Sequence, residues 1–115
     1  MELQTRILDN RTVVTIPVKQ IKLENISWLS QSLFEIIDTI DHSPVLDLSD
    51  VDSIDSQALG FLISIHKRCI INGGRLSLLG VNSSILYLLK VTRIDNILDI
   101  FENETHLEVS YKTSA

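Results

Sequence analysis

Val45-Leu46-Asp47-Leu48, followed after Ser49-Asp50 by Val51-Asp52-Ser53-Ile54-Asp55-Ser56-Gln57-Ala58-Leu59-Gly60-Phe61, is the stretch that decides the fold. The first four residues have the apolar character of a strand buried in the middle of a sheet. From Gln57 onward the apolar residues recur at helical spacing. Asp55 and Ser56 therefore stand at a strand-to-helix junction, where first-turn N–H groups lack partners and the helix dipole is positive. A serine hydroxyl there is exposed, can bond a backbone N–H one turn in, and can carry a phosphoryl group against the helix end. The plainer reading of the same spacing makes Ser56 the helix N-cap and Asp55 a turn residue.

Working outward, the helix that opens at Gln57 runs to Ile71 and stops at Asn72-Gly73-Gly74, where glycine supplies a left-handed residue. Before it, Ile26, Leu29, Leu33, Ile36, Ile37 and Ile40 mark an amphipathic helix with Asn25 as candidate cap, broken by Asp41-His42-Ser43-Pro44. Thr12 to Val18 is rich in β-branched residues and reads as a strand, with Met1 to Leu8 pairing to it through an Asp9-Asn10 turn. Pro17 removes a ladder donor and places that strand's end, or a sheet edge, nearby. After the central helix come a strand at Arg75 to Leu79 and a helix capped by Asn82 or Ser83, with Ile85, Leu86, Leu88 and Leu89 inward. A strand or turn-containing segment follows from Asp95 to Phe101. Residues 103–111 suit either a strand, by the alternation of Leu107, Val109 and Tyr111, or a helix, by the acidic start at Glu102 and Glu104. Residues 112–115 are expected to fray.

The chain's 115 residues, 44% of them hydrophobic, suffice for one domain with a core of its own. A net charge of −5 and the lack of any Lys/Arg run argue against nucleic acid, since phosphate neutralisation needs clustered cations. His66-Lys67-Arg68 is an ordinary solvated grouping. Met1 to Arg6 contains no apolar signal core, and no segment approaches the roughly 18 to 20 apolar residues of a membrane span. A cytoplasmic location is the expectation.

The chemistry-bearing residues are few. Cys69 is the one cysteine and lies among Ile65, Ile70 and Ile71, as a small buried hydrophobe would. His42, His66 and His106 have no metal-ligand spacing, and Asp47, Asp50, Asp52 and Asp55 lack the spacing of a calcium loop. None of GxxxxGK[ST], GxGxxG or GxSxG occurs, so the usual signatures of nucleotide hydrolysis, dinucleotide binding and serine hydrolysis are missing. We expect no enzyme activity, no metal and no cofactor. Trp28 should pack on the sheet. On the central helix, Leu59, Leu62, Ile63, His66 and Ile70 form one broad face, assigned to the core. Gln57, Phe61, Ile65 and Arg68 lie on another stripe continuing from Ser56, read as a partner patch. The competing assignment puts Phe61 and Ile65 against core or a second copy of the chain.

Taken together, Val45 to Val51, the Asp55-Ser56 pair with Leu59, Gly73-Gly74-Arg75-Leu76 and Leu88-Leu89-Lys90-Val91-Thr92 resemble the STAS domain. That is the family of bacterial anti-sigma factor antagonists and sulfate-transporter tails. The resemblance implies a single α/β domain, with a mixed sheet of four or five strands and helices mainly on one face. It further implies an anti-sigma factor antagonist, in which Ser56 is phosphorylated by a serine kinase that is itself the anti-sigma factor. Asp55 would be the acidic neighbour, and Asp55, Ser56, Gln57, Phe61 and Ile65 would meet the partner. The unphosphorylated form would dock, and a phosphatase would reset it.

Four positions depart from the family pattern. Gln57 stands where serine or threonine is common, Ala58 where glycine is usual, Arg93 where a Gly-Leu pair follows the third helix, and Lys22 where a loop usually carries an acid. Ala58 is expected to add a methyl where a partner or nucleotide approaches, and Lys22 to change the charge of the docking surface. From a different class, the alternative is a scaffold or ligand-binding subunit of a transporter-associated or signalling assembly, without a switch, in which Ser56 only caps its helix.

Overall fold

Val45-Leu46-Asp47 is the middle strand of a five-stranded sheet in the computed structural model, which describes residues 3–107. Strands β1 (Thr5–Leu8) and β2 (Arg11–Thr15) form an antiparallel hairpin. Asp9 and Asn10, with φ of 49° and 68°, supply the two left-handed residues that a two-residue hairpin turn demands. There follow β3 (Gln20–Ile21), α1 (Leu23–Thr39), β4 (Val45–Asp47), β5 (Ser53–Ile54), α2 (Ser56–Ile71), β6 (Ser77–Leu79), α3 (Ser83–Val91), a 3-10 turn at Ile94–Asn96 and β7 (Asp99–Phe101). The main sheet runs β1-β2-β4-β6-β7 and is parallel beyond the first pair, while β3 and β5 make a separate parallel pair.

The register Val14–Leu46–Leu78 sets one row of side chains toward α1, α2 and α3, which bury the larger core with Leu29, Leu33, Leu62, Ile65 and Ile85. Because strand side chains alternate faces, Val13, Val45 and Leu79 point the other way and meet Phe101 and Leu107. Residues 104–107 are helical, so the stretch left open between helix and strand begins as helix. Its remainder, 108–111, and the tail 112–115 lie outside the described residues. Trp28 is half-buried at the margin of the larger core.

Two helix starts differ from the spacing-based reading. α1 begins at Leu23 with Lys22 as N-cap, and Asn25 sits inside the first turn, accepting the Lys22 backbone N–H at 2.8 Å. Asn25 thus supplies the returning half of a capping box, which periodicity alone does not reveal. In α2 the buried residues are Ala58, Phe61, Leu62, Ile65, His66 and Cys69, while Leu59 and Ile63 are half-buried and Ile70 is 53% exposed. The face assigned to the core is therefore rotated by about one residue, roughly 100° of helix. Both sets satisfy i, i+3, i+4 spacing, and only the sheet and α1 decide between them.

α2 ends as anticipated. Gly73 has φ 83°, its N–H bonds Ile70 O, and the Gly74 N–H bonds Cys69 O, the two bonds of a Schellman motif. A β-carbon on Gly74 would lie 2.0 Å from the His42 carbonyl oxygen, so that position admits only glycine.

Candidate functional site

The short β3–β5 pair builds the site. Gln20 lies beside Ser53 and Ile21 beside Ile54, so the next residues, Lys22 and Asp55, leave the pair together as the N-caps of α1 and α2. The two helices consequently start side by side. The loop leading in is pinned from both directions: the Asp52 N–H bonds Lys19 O at 2.7 Å, and the Asn82 amide, at the start of α3, donates to Asp52 O at 2.9 Å. Asn82 also caps its own helix by accepting from Ile85 N.

Asp55, not Ser56, is the cap of α2. Its backbone is extended, and its Oδ1 accepts the Ala58 N–H at 2.9 Å. Aspartate and serine rank alike as N-caps, so the choice falls to whichever residue keeps extended backbone, and β5 holds Asp55 that way. Ser56 becomes the first helical residue. It is exposed, and its hydroxyl takes part in no hydrogen bond among the described residues. Gln57 is exposed beside it. A shallow cavity of about 300 Å³ lies here, lined in part by Lys22, Glu24, Ser53, Asp55 and Gln57.

Beyond that first turn the stripe read as a partner patch turns inward. Phe61 is 3% exposed and Ile65 is fully buried in the larger core, so neither can belong to a partner patch. They fill the space between α2 and the sheet, the role their competing assignment gave them. Ala58 is fully buried as well, and its methyl points into the core rather than toward a partner. Of the five residues read as partner-binding, the fold presents Asp55, Ser56 and Gln57 and withdraws Phe61 and Ile65.

The remaining acids divide by environment. Asp50 and Asp52 are exposed loop residues. Asp47, at the end of β4, is buried, and its carboxylate accepts from Ser49 N at 3.0 Å and from Arg6 at 3.1 Å. Burial pushes its pKa up, but the hydrogen bonds from Ser49 and the Arg6 guanidinium outweigh burial and hold it below the ordinary carboxylate value. This is a structural pair on the second face of the sheet. Burial, reinforced by Asp41, raises the Cys69 thiol to about 11, which makes it a poor nucleophile. No cluster of His, Cys, Asp and Glu suited to a metal occurs among the described residues, and none of their helices is long and apolar enough to cross a membrane.

A larger cavity, about 800 Å³, lies along β7 with Arg75, Lys90, Asp99, Phe101 and His106 on its walls, and includes none of the residues read as phosphorylated or partner-binding. The resemblance places Lys22 on the docking surface and spacing makes Asn82 a cap; what neither shows is how the chain brings them to Ser56. Both reach the Ser56 end through pairings between residues about 30 apart in the chain, which leave no local signal.

The family pattern of the STAS domain matches residues 2–106. A Thermotoga maritima protein named as a candidate anti-sigma factor antagonist is 32% identical over 98 residues, 84% of this chain and 86% of that one. The crystal structure of a candidate anti-sigma factor antagonist from Thermotoga maritima superposes with a TM-score of 0.80 at 26% identity, over 94% of this chain and 92% of the other. The unphosphorylated form of the anti-sigma factor antagonist SpoIIAA shares the fold, with a TM-score of 0.75 at 10% identity over 96% of each chain. The order of elements, the Asp55-Ser56 junction and the match along nearly the whole length lead to one conclusion: this chain belongs to the STAS domain family.

Proposed function

We propose that the protein is an anti-sigma factor antagonist that works as a phosphorylation switch. Unphosphorylated, it docks through the Ser56 end on an anti-sigma factor serine kinase, and phosphate on Ser56 ends the docking until a phosphatase removes it. The observation that carries the reading is the division of labour at the head of α2. Asp55 does the capping, which leaves the adjacent Ser56 hydroxyl exposed and without a structural task. A serine that capped the helix would have to surrender its bond to be modified.

The energetics favour an on–off response without refolding. A phosphate adds about 1.5 to 2 negative charges at neutral pH beside Asp55 and close to Asp52. Burying that dianion under a partner costs several kcal/mol unless the partner supplies a cation. Each 1.4 kcal/mol changes affinity about tenfold. Docking is thereby lost while the core beneath Ala58 stays as it is. The reading rests on no cofactor and no catalytic residue in this chain.

Incubating the purified chain with native lysate and ATP, then mapping phosphate by mass spectrometry, tests the modification. The expected result is phosphate on Ser56 that disappears on removal of ATP and addition of the lysate's phosphatase activity. An unmodified Ser56, or phosphate spread over exposed serines such as Ser83 and Ser84, overturns it.

A further inference from the structure

Lys22 is a poor choice for the place it occupies. N-caps are ordinarily Ser, Thr, Asp or Asn, whose oxygen accepts a first-turn N–H, and a lysine has no acceptor to offer. Its ammonium also stands at the positive end of α1, where a cation is unfavourable. The side chain is exposed and makes no ion pair among the described residues. Asp55, across the pair, does not engage it, because the carboxylate is turned to the Ala58 N–H. Residues that break local rules without compensation in the fold mark functional positions.

The position supplies the function. Ile21 and Ile54 are register partners, so Lys22 and Asp55 emerge one strand spacing apart, about 4.8 Å. A four-carbon stem spans that distance with ease, and Lys22 shares the walls of one cavity with Asp55 and Gln57, the two residues that flank Ser56. We propose that Lys22 is the charge partner, within the chain, of phosphate on Ser56. In the phosphorylated form its ammonium swings across the cavity and pairs with the phosphate oxygens. The modification then does two things at once: it places an anion on the docking surface, and it engages the cation that shares a cavity with Asp55 and Gln57. This inference rests on the proposal that Ser56 is the phosphorylated residue.

The test uses the full chain with phosphoserine installed at position 56 by genetic encoding, and so needs no kinase. The second ionisation of the phosphate is followed by phosphorus NMR in the wild type, Lys22→Gln and Lys22→Arg. A cation within about 4 Å in high dielectric lowers that pKa by roughly half a unit. We expect Lys22→Gln to titrate higher than wild type by about that amount, Lys22→Arg to restore the wild-type value, and the difference to shrink as salt rises. The two helix ends act on every variant alike and cancel in the comparison. Equal titration of wild type and Lys22→Gln, or a difference that arginine fails to restore, overturns the inference. Failure of any lysate to phosphorylate Ser56 would instead remove the proposed function and leave this electrostatic result standing.

Discussion

Two turns of one helix behave as two different materials. The start of α2, with Asp55, Ser56 and Gln57, is exposed and polar; the face that follows, through Ala58, Phe61 and Ile65, is buried against the sheet and α1. The boundary falls between neighbouring residues. Its lesson is that a modified hydroxyl can change what a protein binds without disturbing what holds it together, provided that cap, switch and core are separate side chains. Here Asp55 is the cap, Ser56 the proposed switch and Ala58 the first residue of the core.

Alanine substitutions on the two sides of the boundary should differ severalfold in cost. Phe61→Ala and Ile65→Ala should each destabilise by roughly 2 to 5 kcal/mol, because each leaves a cavity in the close-packed layer under α2. Denaturant unfolding measures this. A loss below about 0.5 kcal/mol for either would return these residues to the surface and to the partner patch first read from their spacing. In the exposed turn, Asp55→Ala should cost about 1 kcal/mol through the lost cap, and Ser56→Ala should stay within about 0.5 kcal/mol. Equal costs at both positions would mean that the two residues share the cap.

A smaller, graded effect belongs to the buried side alone. His66 on α2 is held below the ordinary histidine pKa by burial first and then by the Arg75 cation, with Asp99 opposing. The folded protein therefore keeps the ring neutral, while the unfolded chain takes up a proton near pH 6.5. Stability from this group is complete above that pH and declines as pH falls through it. Asp47, lowered by its partners, adds a second decline below the ordinary carboxylate range. Melting temperature followed from pH 8 to pH 4 should fall in wild type and fall less in His66→Gln. Parallel curves for the two proteins would assign the slope elsewhere.

How much of this was legible in the sequence follows the range of the interactions. Local signals carried far: the Asp9-Asn10 turn, the Gly73-Gly74 stop, the apolar run at β4 and the positions of α2 and α3 all stand where spacing and turn chemistry put them. The orientation of α2 did not, because a helix apolar at residues 58, 59, 61, 62, 63, 65, 69, 70 and 71 presents two faces with equal claim on the core. Only contact with β4, β6 and α1 selects one. The site was half visible for the same reason. Asp55 and Ser56 announced themselves in one short motif, whereas Lys22 joins them through the β3–β5 pair, two residues on each side, too short for any strand pattern to register.

The departures from the family pattern find their physical meaning in the same way. Arg93 has φ 65°, the left-handed position after α3 where the family's glycine would sit without strain. Ala58 occupies a helical, fully buried position that needs no glycine. Both changes concern the scaffold, whereas Gln57 and Lys22 alter the exposed chemistry beside Ser56.

On the proposed function, phosphate on Ser56 abolishes docking and leaves the fold intact. The most direct test immobilises the chain with serine and with phosphoserine at position 56, measures retention of a serine kinase from native lysate, and records the melting temperature of both forms. The account predicts kinase on the unmodified chain, none on the phosphorylated one, and melting temperatures that agree within a few degrees. Equal retention on both forms, or a phosphorylated chain that no longer melts cooperatively, would contradict it.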